Sequence, residues 1–143
     1  MAIVLQILKT KGNAVCSVSP DSMVIDALKL MAEKNIGAVI VTENNKLVGI
    51  FSERDYARKV VLKDKASDST HIREIMTSNV FTVKTSSSID DCMKIMTDKN
   101  FRHLPVVDDG KLMGVISLGD AVRFVIEEQK DTIKNLESYI SGQ

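Results

Sequence analysis

Two short stretches carry residue types from which a binding site could be built. Gly49-Ile50-Phe51-Ser52-Glu53-Arg54-Asp55 and Gly114-Val115-Ile116-Ser117-Leu118-Gly119-Asp120 both read as an apolar run followed by Ser-x-x-Asp. That spacing is a helix N-cap with an acid at the third helical position, and capping alone accounts for it. Its setting adds a second reading. A cap that follows directly on a strand lies at the strand's carboxyl edge, where open α/β sheets hold ligands. A helix start also presents unpaired N–H groups and the positive end of the helix dipole, which suit a phosphate. An Asp one turn in can accept hydrogen bonds from both vicinal hydroxyls of a ribose. Sugar and phosphate handled at one helix end is nucleotide chemistry. Ser88-Ile89-Asp90-Asp91 has the same spacing, and only capping is expected there.

The cations of such a site stand elsewhere. In Asn100-Phe101-Arg102-His103-Leu104-Pro105-Val106, Arg102 and His103 precede a short apolar strand. Arg102 offers a fixed cation for phosphate, bidentate where geometry allows. His103 offers a donor that strengthens on protonation. The same pair reads equally as a solvated basic edge. The first half of the chain has Gly37-Ala38 at the matching place, and instead carries Arg54 inside its Ser-x-x-Asp where the second half has Gly119. Arg58 and Arg123 lie one turn further on, as phosphate contacts or as surface helix residues. Two chemically unequal pockets are expected. One takes its cation from a strand entrance, the other from a helix start.

The matching places follow from a duplication. Shifting the chain by 65 residues lays Val15–Val61 on Val80–Ile126 without a gap, and 16 of the 47 pairs are identical. Gly49 falls on Gly114, Ser52 on Ser117 and Asp55 on Asp120. Each half reads β-α-β-β-α. An extended piece (Val15–Val18; Val80–Val83) leads into a helix started by Pro20-Asp21-Ser22 or Ser86-Ser87-Ser88 and ended near Asn35 or Asn100. A hairpin follows, Ala38–Thr42 with Leu47–Phe51 and Leu104–Val107 with Leu112–Ile116, and then a second helix from about Glu53 or Leu118. The fold class is therefore α/β, two small repeats packed about a pseudo-twofold axis, because each alone leaves an apolar face uncovered. Residues 1–65 are expected to hold the first repeat, 66–79 a connection and 80–143 the second repeat.

Three segments fall outside the ungapped match. Residues 3–9 read as a short apolar helix ending near Lys11-Gly12-Asn13, and Ile72–Met76 as a short helix in the connection. The last helix meets no breaker until Gly142. Along it Val122, Ile126, Gln129, Ile133, Leu136 and Ile140 alternate steps of four and three, an a/d-like seam. The seam either packs on the chain's own N-terminal helix or faces a second subunit. The second is preferred, which makes the protein a homodimer.

Composition removes other classes. Nineteen basic residues balance 19 acidic ones, and aromatics are 4% with no Trp. A general nucleic-acid binder would need a basic excess and stacking platforms. Cys16 and Cys92 stand 76 apart, and both they and the two histidines lack metal-ligand spacing. Both thiols are expected to be buried small apolar groups. There is no nucleophile–base pair and no Walker loop, so catalysis is not expected. The N-terminal run is too short for a signal or membrane span, and a cytoplasmic location is expected.

The duplicated unit, with IGAVIVTENNKLVGIFSERD and FRHLPVVDDGKLMGVISLGD, resembles the cystathionine β-synthase (CBS) domain. Over about residues 7–127 the chain is similar to a stand-alone CBS pair, or Bateman module. The resemblance implies a non-catalytic regulatory fold with two clefts between the repeats. Such clefts take adenine nucleotides: AMP foremost, with ADP, ATP, NAD or S-adenosylmethionine as alternatives. It also implies dimers of pairs and a regulated partner protein. By position, the first repeat would contribute Ser17, Val18, Ile36, Gly37, Ala38, Ser52, Arg54, Asp55 and Arg58. The second would contribute Thr82, Val83, Phe101, Arg102, His103, Pro105, Ser117 and Asp120. The Asp of each motif would hold the ribose, and the neighbouring Ser and basic residues the phosphate. Main-chain groups near the first strand and hairpin entrance would enclose the base, with apolar side chains. The small Gly37-Ala38 pair would admit a longer ligand such as a dinucleotide. A protein-interaction module with degenerate, empty clefts is the alternative.

Overall fold

The computed structural model describes residues 1–12 and 14–141. Helix α1 (Val4–Lys11) precedes β1 (Ser17–Val18), α2 (Val24–Lys34) and a hairpin of β2 (Ala38–Glu43) and β3 (Lys46–Ser52). A one-turn α3 (Glu53–Asp55) continues as a π-helix (Tyr56–Val61), followed by α4 (Ile72–Ile75). The second half has α5 (Ile89–Lys99), a hairpin of β4 (His103–Asp108) and β5 (Lys111–Ser117), and α6 (Leu118–Ile140).

Local chemistry sets the boundaries. Asn35 and Asn100 end α2 and α5 in left-handed conformations, φ 53° and 57°, a backbone state that Asn tolerates better than most residues. The two-residue loops Asn44-Asn45 and Asp109-Gly110 have φ of 54° and 63°, and of 48° and 78°. Positive φ at both central positions marks type I′ turns, whose twist suits a hairpin. Both hairpins carry a bulge at equivalent places, Val41/Thr42 and Val106/Val107.

β1 pairs parallel with β2, making a three-stranded sheet, whereas β4 and β5 stand as a pair. The extended piece expected at Val80–Val83 shrinks to one parallel bridge between Val83 and Val106. Helix α2 starts at Val24, after a turn through Pro20–Ser22, and its N-cap Met23 gives no side-chain cap.

Two of the three segments outside the ungapped match, α1 and α4, repeat each other at an offset of 68 instead of 65. Val4 N–H donates to Ser87 O at 2.9 Å and Leu5 N–H to Thr85 O at 3.0 Å; Ile72 N–H donates to Ser22 O and Arg73 N–H to Pro20 O, both at 2.8 Å. Gln6 Oε1 accepts from Ile3 N–H at 2.8 Å, and Glu74 Oε2 from His71 N–H at 2.9 Å. The two cores show the consequence. Val24, Val39, Val41 and Phe51 of the first repeat are closed over by Ile72 and Ile75 of α4. Ile89, Leu104, Val106 and Ile116 of the second are closed over by Val4, Ile7 and Leu8 of α1. The helix that precedes the first repeat thus completes the core of the second.

Candidate functional site

Both Ser-x-x-Asp motifs form full capping boxes. Asp55 N–H donates to Ser52 Oγ at 3.2 Å, and Ser52 N–H donates back to Asp55 Oδ2 at 3.0 Å. The second motif repeats this at 3.0 and 2.9 Å between Asp120 and Ser117. At Ser88 only half the box forms, Asp91 N–H to Ser88 Oγ at 3.0 Å. The strand-following acids therefore cap, and one carboxylate oxygen of each is left for other partners. Asp55 Oδ1 accepts from Thr77 Oγ1 at 3.2 Å and pairs with Lys59 Nζ at 3.2 Å. Asp120 Oδ1 accepts from Arg123 Nη2 at 2.8 Å. Lys11 Nζ sits on Asp120 Oδ2 at 2.6 Å and also donates to Val115 O at 2.9 Å.

The Asp55 side opens onto a cleft of about 1090 Å³, just above the volumes usual for small-molecule sites. One wall is Ser52, Arg54, Asp55, Arg58 and Lys59 of the first repeat; the other is Lys99, Asn100, Phe101, Arg102 and His103 of the second. Thr77, Asn79, Val80 and Phe81 also line it. Arg54 bridges the walls, its Nη1 donating to Asn100 O at 2.8 Å. Arg58 and Arg102 are exposed and pair with no carboxylate among the described residues. Lys99 lies over the Phe81 ring at 5.7 Å from the centroid, a cation–π arrangement. The lining holds five cations against the carboxylates of Glu53 and Asp55, so it favours an anionic ligand.

This corrects the expectation of one pocket fed from a strand entrance and another from a helix start. The helix-start cations Arg54 and Arg58 and the strand-entrance cation Arg102 line the same cleft. The repeats pack with the helix start of one against the hairpin entrance of the other. Of the residues carried over by position, Gly37, Ser52, Arg54, Asp55, Arg58, Phe101, Arg102 and His103 border this cleft. Ser17, Val18, Ile36, Ala38, Pro105, Ser117 and Asp120 do not. Thr82 and Val83 line a smaller hollow of about 320 Å³ beside Cys92. Lys59, Lys99, Thr77 and Phe81 join the lining without having been singled out. Lys59 was within reach, four residues after Asp55 on a helix, where the two side chains meet. Lys99, Thr77 and Phe81 had no local signal.

Electrostatics separates the two halves. Burial alone would raise the Asp120 carboxyl, but hydrogen bonds from Lys11 and Ser117 outweigh it and hold the group below its ordinary value. Burial pushes His103 down, and Lys11 adds to this against the opposing pull of Asp120. With its pKa lowered, His103 favours the neutral imidazole, which still donates through one ring N–H, and disfavours the protonation that would strengthen that donor. It stands against Gly37, where an added Cβ would lie 3.4 Å from its Cε1. Burial likewise pushes the Cys92 thiol up to about 11, which makes it inert. Cys16, expected to be buried, is half-buried.

Comparison with known proteins agrees with this architecture. The CBS domain profile matches residues 12–62 and 72–127. The chain belongs to the CBS-domain family and is a CBS pair. It is 36% identical over 145 residues to the CBS domain-containing protein CBSX3, mitochondrial, of Arabidopsis thaliana, covering 95% of this chain and 70% of that protein. A CBS-domain protein from Burkholderia ambifaria superposes with a TM-score of 0.86 at 50% identity, covering 90% of this chain and 96% of that one. The CBS domain pair of protein MJ0100, solved in complex with 5′-methylthioadenosine and S-adenosyl-L-methionine, superposes with a TM-score of 0.79 at 27% identity, covering 90% and 98%. Among the described residues no helix is long and apolar enough to cross a membrane.

Proposed function

We propose that this CBS pair is a non-catalytic regulatory module that binds an adenine nucleotide in the cleft between Asp55 and Arg102. The observation that carries the reading is the convergence, along one cleft, of a capped carboxylate whose second oxygen is held only by Thr77 and Lys59 of the same lining, and of guanidinium groups on both walls, Arg58 and Arg102, that pair with no carboxylate among the described residues. A ribose would exchange its hydroxyls for the Thr77 and Lys59 contacts on Asp55 Oδ1. Arg58 and Arg102 would hold phosphate, and Phe81 or Phe101 would offer a face to the base. The complex of the MJ0100 pair with two adenosine compounds supports the adenosine part. The cation excess of this lining supports AMP, ADP, ATP or NAD over S-adenosylmethionine, whose sulfonium is positive. The occupied module acts as a homodimer. It signals to a partner protein by favouring one arrangement of its repeats, an effect bounded by the ligand's preference for that arrangement.

Calorimetry with AMP, ATP, NAD and S-adenosylmethionine tests this. The phosphate-bearing ligands should bind, and Asp55→Ala should weaken them by about 1–3 kcal/mol, the cost of unpairing such hydrogen bonds. Unchanged affinity in the variant rejects the ribose assignment. The second reading, an interaction module with empty clefts, has one observation in its favour: Lys11 closes over Asp120 from the chain's own α1. Absence of heat with every adenylate would select it.

A further inference from the structure

Helix α6 runs past the body of the molecule. Ala121 is buried and Phe124 and Val125 pack partly against the second core, but every residue from Ile126 to Ser141 is exposed. The exposed face is not polar. Val122 is 38% exposed, Ile126 44%, Ile133 and Leu136 55% each and Ile140 82%. Amphipathic helices in proteins draw most of their stability from a covered face. Ile126, Ile133 and Ile140 hold a positions and Val122, Gln129 and Leu136 hold d positions.

We propose that a second copy of this chain covers the face in antiparallel orientation, with the dyad at Asp131. In that register each a position meets a d position: Val122 faces Ile140, Ile126 faces Leu136 and Gln129 faces Ile133 of the second copy. The flanks then match. Arg123 lies opposite Glu137 of the second copy at both ends of the pair, and Tyr139, 85% exposed, lies over half-buried Val125. Lys130 meets Lys130 at the dyad, and the Glu127 carboxylate 3.5 Å from each ammonium offsets that repulsion. A parallel pair makes no opposite-charge contact along its flanks and sets Gln129 against itself. The antiparallel arrangement also places the two bodies at opposite ends of helices about 35 Å long.

This inference rests on the homodimer reading and is tested so that the two separate. Single variants Ile126→Cys and Leu136→Cys, made on Cys16→Ser with inert Cys92 retained, should cross-link to each other when mixed and oxidised, and neither should cross-link to itself. Sedimentation should show a wild-type dimer that Leu136→Lys weakens by at least about tenfold, because a charge replaces a seam residue. Self-cross-linking of Ile126→Cys overturns the antiparallel register. A dimer indifferent to Leu136→Lys, without cross-links between positions 126 and 136, overturns the surface while leaving the homodimer standing. A wild-type monomer at tens of micromolar overturns both.

Discussion

His103 carries a pH dependence whose direction is fixed by its surroundings. Burial lowers its pKa from the ordinary 6.5, with Lys11 and Arg102 adding and Asp120 opposing. Well above 6.5 the residue is neutral in both folded and unfolded chains and contributes no slope. As the pH falls below that value the unfolded chain takes up the proton first, so stability declines until folded His103 protonates as well. Asp120 has the opposite charge type but the same slope. Its lowered pKa stabilises the fold above the ordinary 3.8 and is lost as the pH falls through the folded value. The His103 window opens below 6.5 and the Asp120 window only below 3.8. His103→Asn should therefore flatten melting temperature against pH in the window that opens just below 6.5, leaving the loss under acid in place. A variant with the parent's slope in that window would show that His103 is not the group responsible.

At the scale of elements, α1 and α4 do the same work at different strictness. Gly49 on β3 faces α4 and its C-terminal end, where an added Cβ would lie 2.7 Å from Met76 Sδ and 3.0 Å from Thr77 O. Gly114 on β5 faces α1, where the nearest atom is Leu8 Cδ2 at 2.8 Å. A side-chain end can swing away, but a backbone oxygen held by its own hydrogen bond to Ile50 N–H at 3.0 Å cannot. Gly49→Ala should cost about 1–3 kcal/mol and Gly114→Ala about 1 kcal/mol or less, following the usual cost of overpacking. Chemical denaturation of both variants measures the difference, and equal costs would show that α1 is held as rigidly as α4. The duplication, both hairpins and the αL asparagines were legible in the sequence, because each is written in local spacing and turn chemistry. The equivalence of α1 and α4 was not, because three extra residues between α1 and β1 break the register. The composition of the cleft was not legible either. Asp55 and Arg102 belong to different repeats, and only their packing brings the helix start of one to the hairpin entrance of the other.

The whole molecule is asymmetric although its halves descend from one unit. The two acids are almost equally covered, Asp55 13% exposed beside Lys59 and Asp120 10% exposed under Lys11 and Arg123, but Asp55 lines the large cleft and Asp120 does not. The same substitution should consequently read differently at the two sites. A ligand that binds only the folded chain stabilises it by about 2.7 kcal/mol at one hundred times its dissociation constant. For a chain of 143 residues that amounts to a melting shift of roughly 5–10 °C. Asp55→Ala should lose most of this shift. Asp120→Ala should melt lower without ligand, having lost the half of the capping box that its carboxylate supplies and the Lys11 contact, and yet keep the shift. Lys11→Met separates that half of the capping box from the contact. It should lower the baseline by only about 1 kcal/mol, because the lysine is 40% exposed and such pairs are screened. If Asp55→Ala and Asp120→Ala abolish the shift equally, the nucleotide does not sit in the Asp55 cleft alone, and Lys11 must yield to ligand at the second site.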